Sequence, residues 1–186
     1  MKYARPLAAT AFGLGFVVLL AGWAQTRPAA LTGTDYAEIE QLIYRYGQDL
    51  DTCASNGYEA ADLYTPDGKF IDKFTDEGFS KGGLLLAEGR EALARASGGG
   101  SLGCLDTGSK DWSHLMINPV IGFAPGGATG RVYLLIIGEK GPNDVRRYGG
   151  YEDFYVRTSD GWRIKTRTHV RSKAWSNPLL QTPDLN

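Results

Sequence analysis

The chain has few of the residues that usually indicate a metal or nucleic-acid function. It contains two cysteines, two histidines and an almost balanced set of 20 basic and 21 acidic side chains among 186 residues. Two cysteines and two scattered histidines do not have the spacing of zinc ligands, so we expect no metal site. Nucleic-acid-binding proteins usually carry a marked excess of Lys and Arg, so we expect no nucleic-acid partner.

Cofactor motifs are also missing from the sequence. There is no dinucleotide fingerprint, phosphate loop or serine nucleophile elbow. The run SGGGSLG at 97–103 lacks the preceding strand and following helix that a phosphate cradle requires. We therefore expect no cofactor, and acid–base chemistry carried by side chains is the kind of catalysis that remains.

The single long apolar run lies at the N-terminus. Lys2 and Arg5 precede about fifteen apolar or small residues, and small residues follow at 22 and 24. This pattern predicts a signal peptide over residues 1–24, followed by a leader over 25–34. The run is shorter than the roughly 20 residues of a bilayer span, so we expect a periplasmic or secreted protein with no membrane association after cleavage.

An exported chain meets an oxidising compartment, in which a pair of thiols tends to form a disulfide. Cys53 and Cys104 are the available pair. The sequence therefore predicts a disulfide between them. By the loop-entropy relation, this bond would raise the free energy of unfolding by roughly 4 kcal/mol.

Helical periodicity dominates the first half of the mature chain. TDYAEIEQLIYRYGQDLD (34–51) has apolar residues at helical spacing, with Asp35 and Glu38 as a predicted capping box. YEAADLYTPDG (58–68) predicts a short helix that ends in a Pro-Asp-Gly turn, followed by a strand in KFIDKF. GREALARASGGG (89–100) predicts a third helix, and residues 74–110 around it are either a lid or a mobile segment, of which we favour the mobile segment.

The second half consists of β-rich runs separated by the turn sequences APGG, GPND and SDG. The four runs are DWSHLMINPVIGF (111–123), ATGRVYLLIIGEK (128–140), RRYGGYEDFYVRT (146–158) and GWRIKTRTHVRSKAW (161–175). Helices followed by an antiparallel meander predict one α+β domain over residues 35–175, with a C-terminal tail over 176–186.

His114 lies in the first of these runs. Strand alternation places it on one face with Trp112, Met116 and Asn118, and both faces of the strand carry enough apolar residues to suggest withdrawal from water. A buried imidazole without partners costs several kcal/mol. His114 is therefore either a hydrogen-bonded core residue or the base of a pocket, and alternation alone leaves both open.

Two further candidates lie on the first helix. Asp49 and Asp51 occupy its last turn, where the helix dipole disfavours carboxylates. They are either solvated acids at a fraying end or, for Asp51, the partner of an imidazole. Tyr46 lies on the apolar face and is a core residue by default.

The last strand carries a row of basic residues with one parity. This row comprises Arg163, Lys165, Arg167, His169 and Arg171. We favour a basic outer face, although a β-bulge would turn Arg167 or His169 inward.

The ordered motifs IEQLIYRYGQDLD, ADLYTPDGKF, GREAL, SHLMINPVI, GRVYLLIIG and YGGYEDFYVRTSDGWRIKTR resemble the SnoaL-like branch of the NTF2-like superfamily, over about residues 35–172. This branch contains scytalone dehydratase, bile-acid dehydratase and hexachlorocyclohexane dehydrochlorinase. The resemblance implies a cone-shaped α+β barrel, in which three N-terminal helices and a curved antiparallel sheet enclose a pocket. It also implies a homodimer or homotrimer.

By the same resemblance, an Asp near the end of the first helix acts with a His on the strand that opens the meander. These positions fall on Asp51 and His114. Tyr46 matches a tyrosine of the bile-acid enzyme, and its terminal-strand arginine corresponds to Arg167 or, as the weaker match, Arg171.

The sequence thus predicts an exported, cofactor-independent lyase, of dehydratase or formaldehyde-releasing retro-aldol type, for a small aromatic or polycyclic substrate. His114 would abstract a proton, Asp51 would orient it, and Tyr46 with Arg167 or His169 would polarise an oxygen. The predicted substrate-binding residues are Trp112, Met116, Asn118 and Tyr133. The alternatives are a non-catalytic ligand-binding or assembly domain, and an isomerase or cyclase that uses the same base.

Overall fold

A computed structural model describes residues 30–105, 112–140 and 143–171. The predicted signal peptide (1–24), the first half of the leader (25–29) and the C-terminal tail (176–186) lie outside the described residues. Within the described part of the chain, no helix is long and apolar enough to cross a membrane.

Helix α1 spans Gly33–Thr52 and begins before the predicted start. The Thr32 hydroxyl accepts the backbone N–H of Asp35, and the Asp35 carboxylate accepts the backbone N–H of Thr32 at 2.8 Å. The capping box is therefore Thr32 with Asp35, and the predicted pairing of Asp35 with Glu38 is wrong. The predicted apolar stripe is buried at Ile39, Leu42, Ile43 and Tyr46.

A short 3₁₀ turn, Ala54–Gly57, leads into helix α2, Tyr58–Asp62, and strand β1, Tyr64–Lys73. The predicted Pro-Asp-Gly turn lies inside β1, where the pairing with the last strand shifts between Tyr64 and Lys69. These residues thus form an irregularity within the strand, because the chain continues in the same direction after them.

The segment that we predicted to be mobile contains regular structure. Helix α3 spans Asp76–Ser80, strand β2 spans Leu84–Glu88, and helix α4 spans Arg90–Ala96. The elements α3 and β2 were not predicted from the sequence, whereas the predicted third helix corresponds to α4. Residues 106–110 lie outside the described residues.

The four predicted β-runs form strands that join β1 and β2 in one sheet. They are β3 (Trp112–Ala124), β4 (Gly127–Gly138), β5 (Val145–Thr158) and β6 (Gly161–Val170). The strand order is β2-β1-β6-β5-β4-β3, and neighbours are antiparallel except β1 and β6, which are parallel. The sheet is curved and unclosed, and together with the helices it confirms the predicted α+β class.

Helix α1 packs across the sheet against β3 and β6. Its approach to β3 depends on Gly47, since a β-carbon built there would lie only 2.9 Å from the main-chain oxygen of His114. The absence of a side chain at Gly47 therefore lets the end of the helix reach the start of the strand.

Strand β3 is an edge strand, and only one of its faces packs against the helix. Its outer face carries exposed apolar side chains, namely Leu115, Ile117 and Val120. The expectation that both faces of this strand are withdrawn from water is therefore wrong, because no further strand or helix of the described chain covers the outer face.

Strand β6 contains the β-bulge that we considered as the alternative. Tyr155 pairs with Ile164 whereas Phe154 pairs with Thr166, so Lys165 is an extra residue that reverses the alternation after it. Arg167 and His169 consequently point inward and are buried. The favoured basic outer face is thus wrong for these two residues.

Arg167 forms a buried ion pair with Asp153 below helix α1. Both side chains are 0% exposed, and Nε and Nη2 of Arg167 donate to the two carboxylate oxygens at 2.9 and 2.7 Å. The Tyr155 hydroxyl donates to the same carboxylate at 2.6 Å. Burial alone would lower the pKa of Arg167, but the Asp153 carboxylate raises it well above its ordinary value, so the guanidinium stays charged.

We expect Arg167→Met to lower the free energy of unfolding by about 3–5 kcal/mol, because it leaves the Asp153 carboxylate buried without a cation. Urea unfolding of Arg167→Met, Asp153→Leu and the double variant measures this effect. The double variant should lose less stability than the sum of the single variants, and additive losses would contradict the interpretation.

The predicted disulfide between Cys53 and Cys104 is confirmed, with a sequence separation of 51 residues. We expect the double variant Cys53→Ser/Cys104→Ser to lose about 4 kcal/mol of unfolding free energy, because a loop of this length is no longer closed in the unfolded chain. Denaturation with and without reductant measures the loss. Reductant should destabilise the wild type and leave the double variant unchanged; equal stability of the two proteins without reductant would contradict the prediction.

Candidate active site

The structure brings Asp51 and His114 into direct contact. Oδ1 of Asp51 lies 2.5 Å from Nδ1 of His114. The same carboxylate accepts the backbone N–H of His114, with oxygen-to-nitrogen distances of 3.1 and 3.0 Å. Asp51 therefore binds both the ring and the main chain of one residue, and it holds the imidazole in a single orientation.

This contact also selects the tautomer of His114. A carboxylate accepts hydrogen bonds, so Nδ1 of the neutral ring carries the proton that it donates to Asp51. The lone pair is then on Nε2, and the carboxylate stabilises the imidazolium that forms when Nε2 takes up a proton. The arrangement has the chemistry of a general base with an orienting acid.

His114 lies in the wall of a cavity of about 810 Å³ between the sheet, the end of α1 and the segment from α3 to Leu105. The aromatic part of the wall consists of Tyr46, Phe70, Phe74, Trp112 and Tyr151. This volume falls in the range of sites for small organic molecules, and the aromatic wall suits a ring system.

His169 is the second imidazole of the cavity wall. Its ring stacks on Phe74 with centroids 4.4 Å apart, and its Nε2 is buried without a hydrogen-bond partner among the described residues. Burial and, to a smaller extent, the positive charge of Arg147 lower the pKa of His169 to about 4. The ring is therefore neutral at neutral pH and can exchange a hydrogen bond with a bound molecule.

Tyr46 lines the cavity and is 4% exposed. Burial raises the pKa of its hydroxyl, so the group stays protonated and able to donate. Arg167 lies behind it, with its guanidinium 4.1 Å from the centroid of the Tyr46 ring and 4.6 Å from that of Tyr151. The predicted role of Arg167 in contacting a substrate is corrected here, because the two tyrosines and Asp153 enclose it.

The predicted substrate-binding residues are in different places. Trp112 lines the cavity. Met116 lies beneath helix α1, where its side chain faces Gly47, and it does not line the cavity. Asn118 has φ 52° in an irregular part of β3 and is exposed, while Tyr133 is 46% exposed on the outer face of the sheet. Met116, Asn118 and Tyr133 therefore do not line the cavity as predicted.

Sequence reasoning missed Arg147, Phe74 and Tyr151, which line the cavity. Arg147 and Tyr151 are four residues apart on β5 and so share a face, but which face points inward depends on pairing with β4. Arg171, the weaker match for the family arginine, also lines the cavity. Its guanidinium binds Asp76 and the main-chain oxygen of Phe74.

Among the described residues, no group of three or more His, Cys, Asp and Glu side chains is arranged to hold a metal ion.

The lowered pKa of His169 predicts a pH-dependent stability. The unfolded chain binds a proton at His169 below about pH 6.5, whereas the folded chain binds it only near pH 4. Because the unfolded state binds more protons between these values, stability should fall as the pH decreases from 6.5 to 4, by up to roughly 3 kcal/mol from this residue.

His169→Gln should remove this part of the pH dependence. Urea unfolding at several pH values between 4 and 7 measures the slope for wild type and variant, and the difference between the slopes isolates His169 from acidic groups that titrate in the same range. Identical slopes would show that the buried ring does not resist protonation.

The chain was compared with known proteins in sequence and in structure. No curated protein sequence matches it. Solved structures do match, among them an NTF2-like protein with a cystatin-like fold from Novosphingobium aromaticivorans, at 21% identity and a TM-score of 0.61, covering 77% of this chain and 85% of that chain.

A second Novosphingobium aromaticivorans protein, proposed to be a scytalone dehydratase, matches at 21% identity and a TM-score of 0.52, covering 73% of this chain and 70% of that chain. A third, proposed to be an aromatic ring hydroxylase, matches at 19% identity and a TM-score of 0.53, covering 76% and 91% of the respective chains. At these identities the likeness shows the fold. The SnoaL-like domain family matches residues 32–168, which is most of the chain, and the protein therefore belongs to the SnoaL-like family.

Proposed function

We propose that the protein is a cofactor-independent lyase, of dehydratase or retro-aldol type, for a small aromatic or polycyclic molecule. The observation that carries this proposal is the 2.5 Å contact between Asp51 and His114 in the wall of a cavity of about 810 Å³. A core histidine needs a hydrogen-bond partner but has no need of an adjoining space for a ligand. The cavity therefore favours a base over a purely structural histidine.

In this proposal Nε2 of His114 abstracts a proton from the substrate, and Asp51 stabilises the resulting imidazolium. In a dehydration the proton comes from carbon, and the electron pair left there expels the hydroxyl group, which takes a proton from the imidazolium or from Tyr46 and leaves as water. In a retro-aldol cleavage the proton comes from a substrate hydroxyl, whose oxygen forms a carbonyl group as the adjacent C–C bond breaks, and the carbanion produced takes a proton back from the imidazolium. The Tyr46 hydroxyl and the neutral His169 ring are the donors available in the same wall to stabilise charge on the departing or developing oxygen.

The geometry argues against the binding-only alternative, because Asp51 and His114 are in hydrogen-bond contact beside an open cavity and not separated from it. An isomerase or cyclase would use the same base and differs only in where the proton returns. Analysis of the product distinguishes these reactions, since a lyase releases a second molecule.

We also propose that residues 1–24 are a signal peptide and that the mature protein is periplasmic or secreted. The disulfide between Cys53 and Cys104 supports export, because such bonds persist in oxidising compartments. Association as a homodimer or homotrimer is proposed on the family resemblance alone, and sedimentation of the mature protein would measure it.

The test begins with purified mature protein incubated with aromatic dimers and hydroxylated polycyclic compounds, with mass detection of lost water or formaldehyde. For a substrate found in this way, we expect His114→Ala to lower kcat by about 10²- to 10⁴-fold, the usual contribution of a general base. Asp51→Asn should also lower kcat, because the amide offers Nδ1 a neutral acceptor or a competing donor.

Asp49→Asn is the matched control, since Asp49 is a buried carboxylate of the same helix turn and does not line the cavity. Burial raises the pKa of Asp49, so a neutral amide is a mild change there. Unchanged turnover by folded His114→Ala protein would refute the assignment of the base.

A further inference from the structure

Three residues on adjacent strands form a row across the inner face of the sheet. His114 of β3 pairs with Ile136 of β4, and Ile136 pairs with Arg147 of β5. Directly paired residues point to the same face, and all three line the cavity. Neighbouring strands are about 4.8 Å apart, so the backbones of His114 and Arg147 lie roughly 10 Å apart across the cavity wall.

Phe74 holds the Arg147 side chain at the cavity. The guanidinium carbon of Arg147 lies 5.0 Å from the centroid of the Phe74 ring, whose plane is within 6° of the stacked His169 ring. Gly149 makes room for this arrangement, because a β-carbon there would lie 3.1 Å from the Phe74 ring and 2.7 Å from the main-chain oxygen of Val170. The cation is therefore placed by an aromatic ring rather than by a carboxylate.

The carboxylates around the cavity already have partners. Asp51 binds His114, Asp76 binds Arg171, and Glu77 binds Lys81 at 2.6 Å. Asp72 accepts the backbone N–H groups of Phe74 and Thr75 and the hydroxyl of Thr75.

The other arginines of the cavity wall are also engaged. Arg95 pairs with Glu91, and Arg171 pairs with Asp76. Within the described residues, no carboxylate lies within ion-pair distance of Arg147. Arg147 is exposed, which leaves its guanidinium accessible from the cavity.

We propose that the ligand of this cavity is an aromatic carboxylic acid, whose carboxylate pairs with Arg147 while the opposite end of the molecule reaches His114. The role of His114 in this inference rests on the proposed function, whereas the pairing of the carboxylate with Arg147 does not. The planar guanidinium offers two parallel N–H groups that match a carboxylate. A single cation suits one negative charge, so a carboxylate fits better than a doubly charged phosphate ester.

The spacing defines the shape of the acid. An aromatic ring that bears a short acid-terminated chain spans the roughly 10 Å between the two backbones. Its ring would lie between Phe74, Trp112 and Tyr151. The neutral His169 ring beside Arg147 adds no second positive charge at neutral pH and offers a hydrogen bond to a substituent.

The test measures binding of matched pairs of acid and amide to the mature protein by calorimetry. The probes are phenylacetate, 3-phenylpropanoate and 2-naphthylacetate, each with its primary amide. For at least one pair we expect the acid to bind about 10- to 100-fold more tightly than the amide at low salt, the range for a hydrogen bond to a charged group. Added salt should weaken acid binding and leave amide binding unchanged.

Arg147→Gln should remove the preference for the acid, and Arg147→Lys should retain part of it. Arg146→Gln is the matched control, because Arg146 precedes Arg147 but pairs with Asp144 outside the cavity. If Arg147→Gln does not fold, the salt dependence of the wild type and the acid preference of Arg147→Lys show whether Arg147 binds the carboxylate. Equal affinity for acid and amide in every pair, or no binding of any acid at millimolar concentration, would overturn the proposal.

The two proposals fail in different ways. His114→Ala should keep the preference for acids, since His114 is at the other end of the row. A retained preference with unimpaired turnover by His114→Ala would refute the base and leave the carboxylate site standing. Loss of turnover by His114→Ala with no discrimination between acid and amide would refute the carboxylate site alone.

Discussion

The hydrogen bonds from His114 to Asp51 join the end of the first helix to the first strand of the meander, and the site is organised around them. One carboxylate accepts both the ring and the main-chain N–H, so the strand position and the imidazole orientation are set together. The contact requires close approach of helix and strand, which Gly47 permits. The same side chains therefore hold the two layers together and form one wall of the cavity.

Some of the polar and charged side chains of the interior stabilise the fold, and others line the cavity. Arg167 and Asp153 form a buried ion pair next to the rings of Tyr46 and Tyr151, and this pair supports Tyr46 from below. His169, two residues further along the same strand, lines the cavity, and its Nε2 has no hydrogen-bond partner in the described part of the chain. Arg167 is therefore structural because aromatic rings enclose it, whereas His169 is accessible from the cavity.

The local pattern of apolar and polar residues predicted much of the architecture. Apolar spacing located α1, and alternation with turn sequences located the four strands from β3 to β6. The family resemblance brought Asp51 and His114 together, and the structure places them in contact. Short elements were missed: α3 and β2 have five residues each, too few to establish a period.

Other features were beyond local pattern because they depend on register. Asn118 was assigned to the inner face by simple alternation, but the pairing shift after Ile117 interrupts that alternation. Arg147 reaches the cavity through two successive strand pairings that no single run of sequence contains. The bulge at Lys165 has a related consequence for how such sheets diversify. A strand that kept Lys165 in regular alternation would direct Thr166 and Thr168 inward in place of Arg167 and His169, whereas a chain lacking Lys165 would form a regular ladder with Arg167 still opposite Asp153. The bulge therefore lets this strand differ in length by one residue while the same cation and imidazole stay buried.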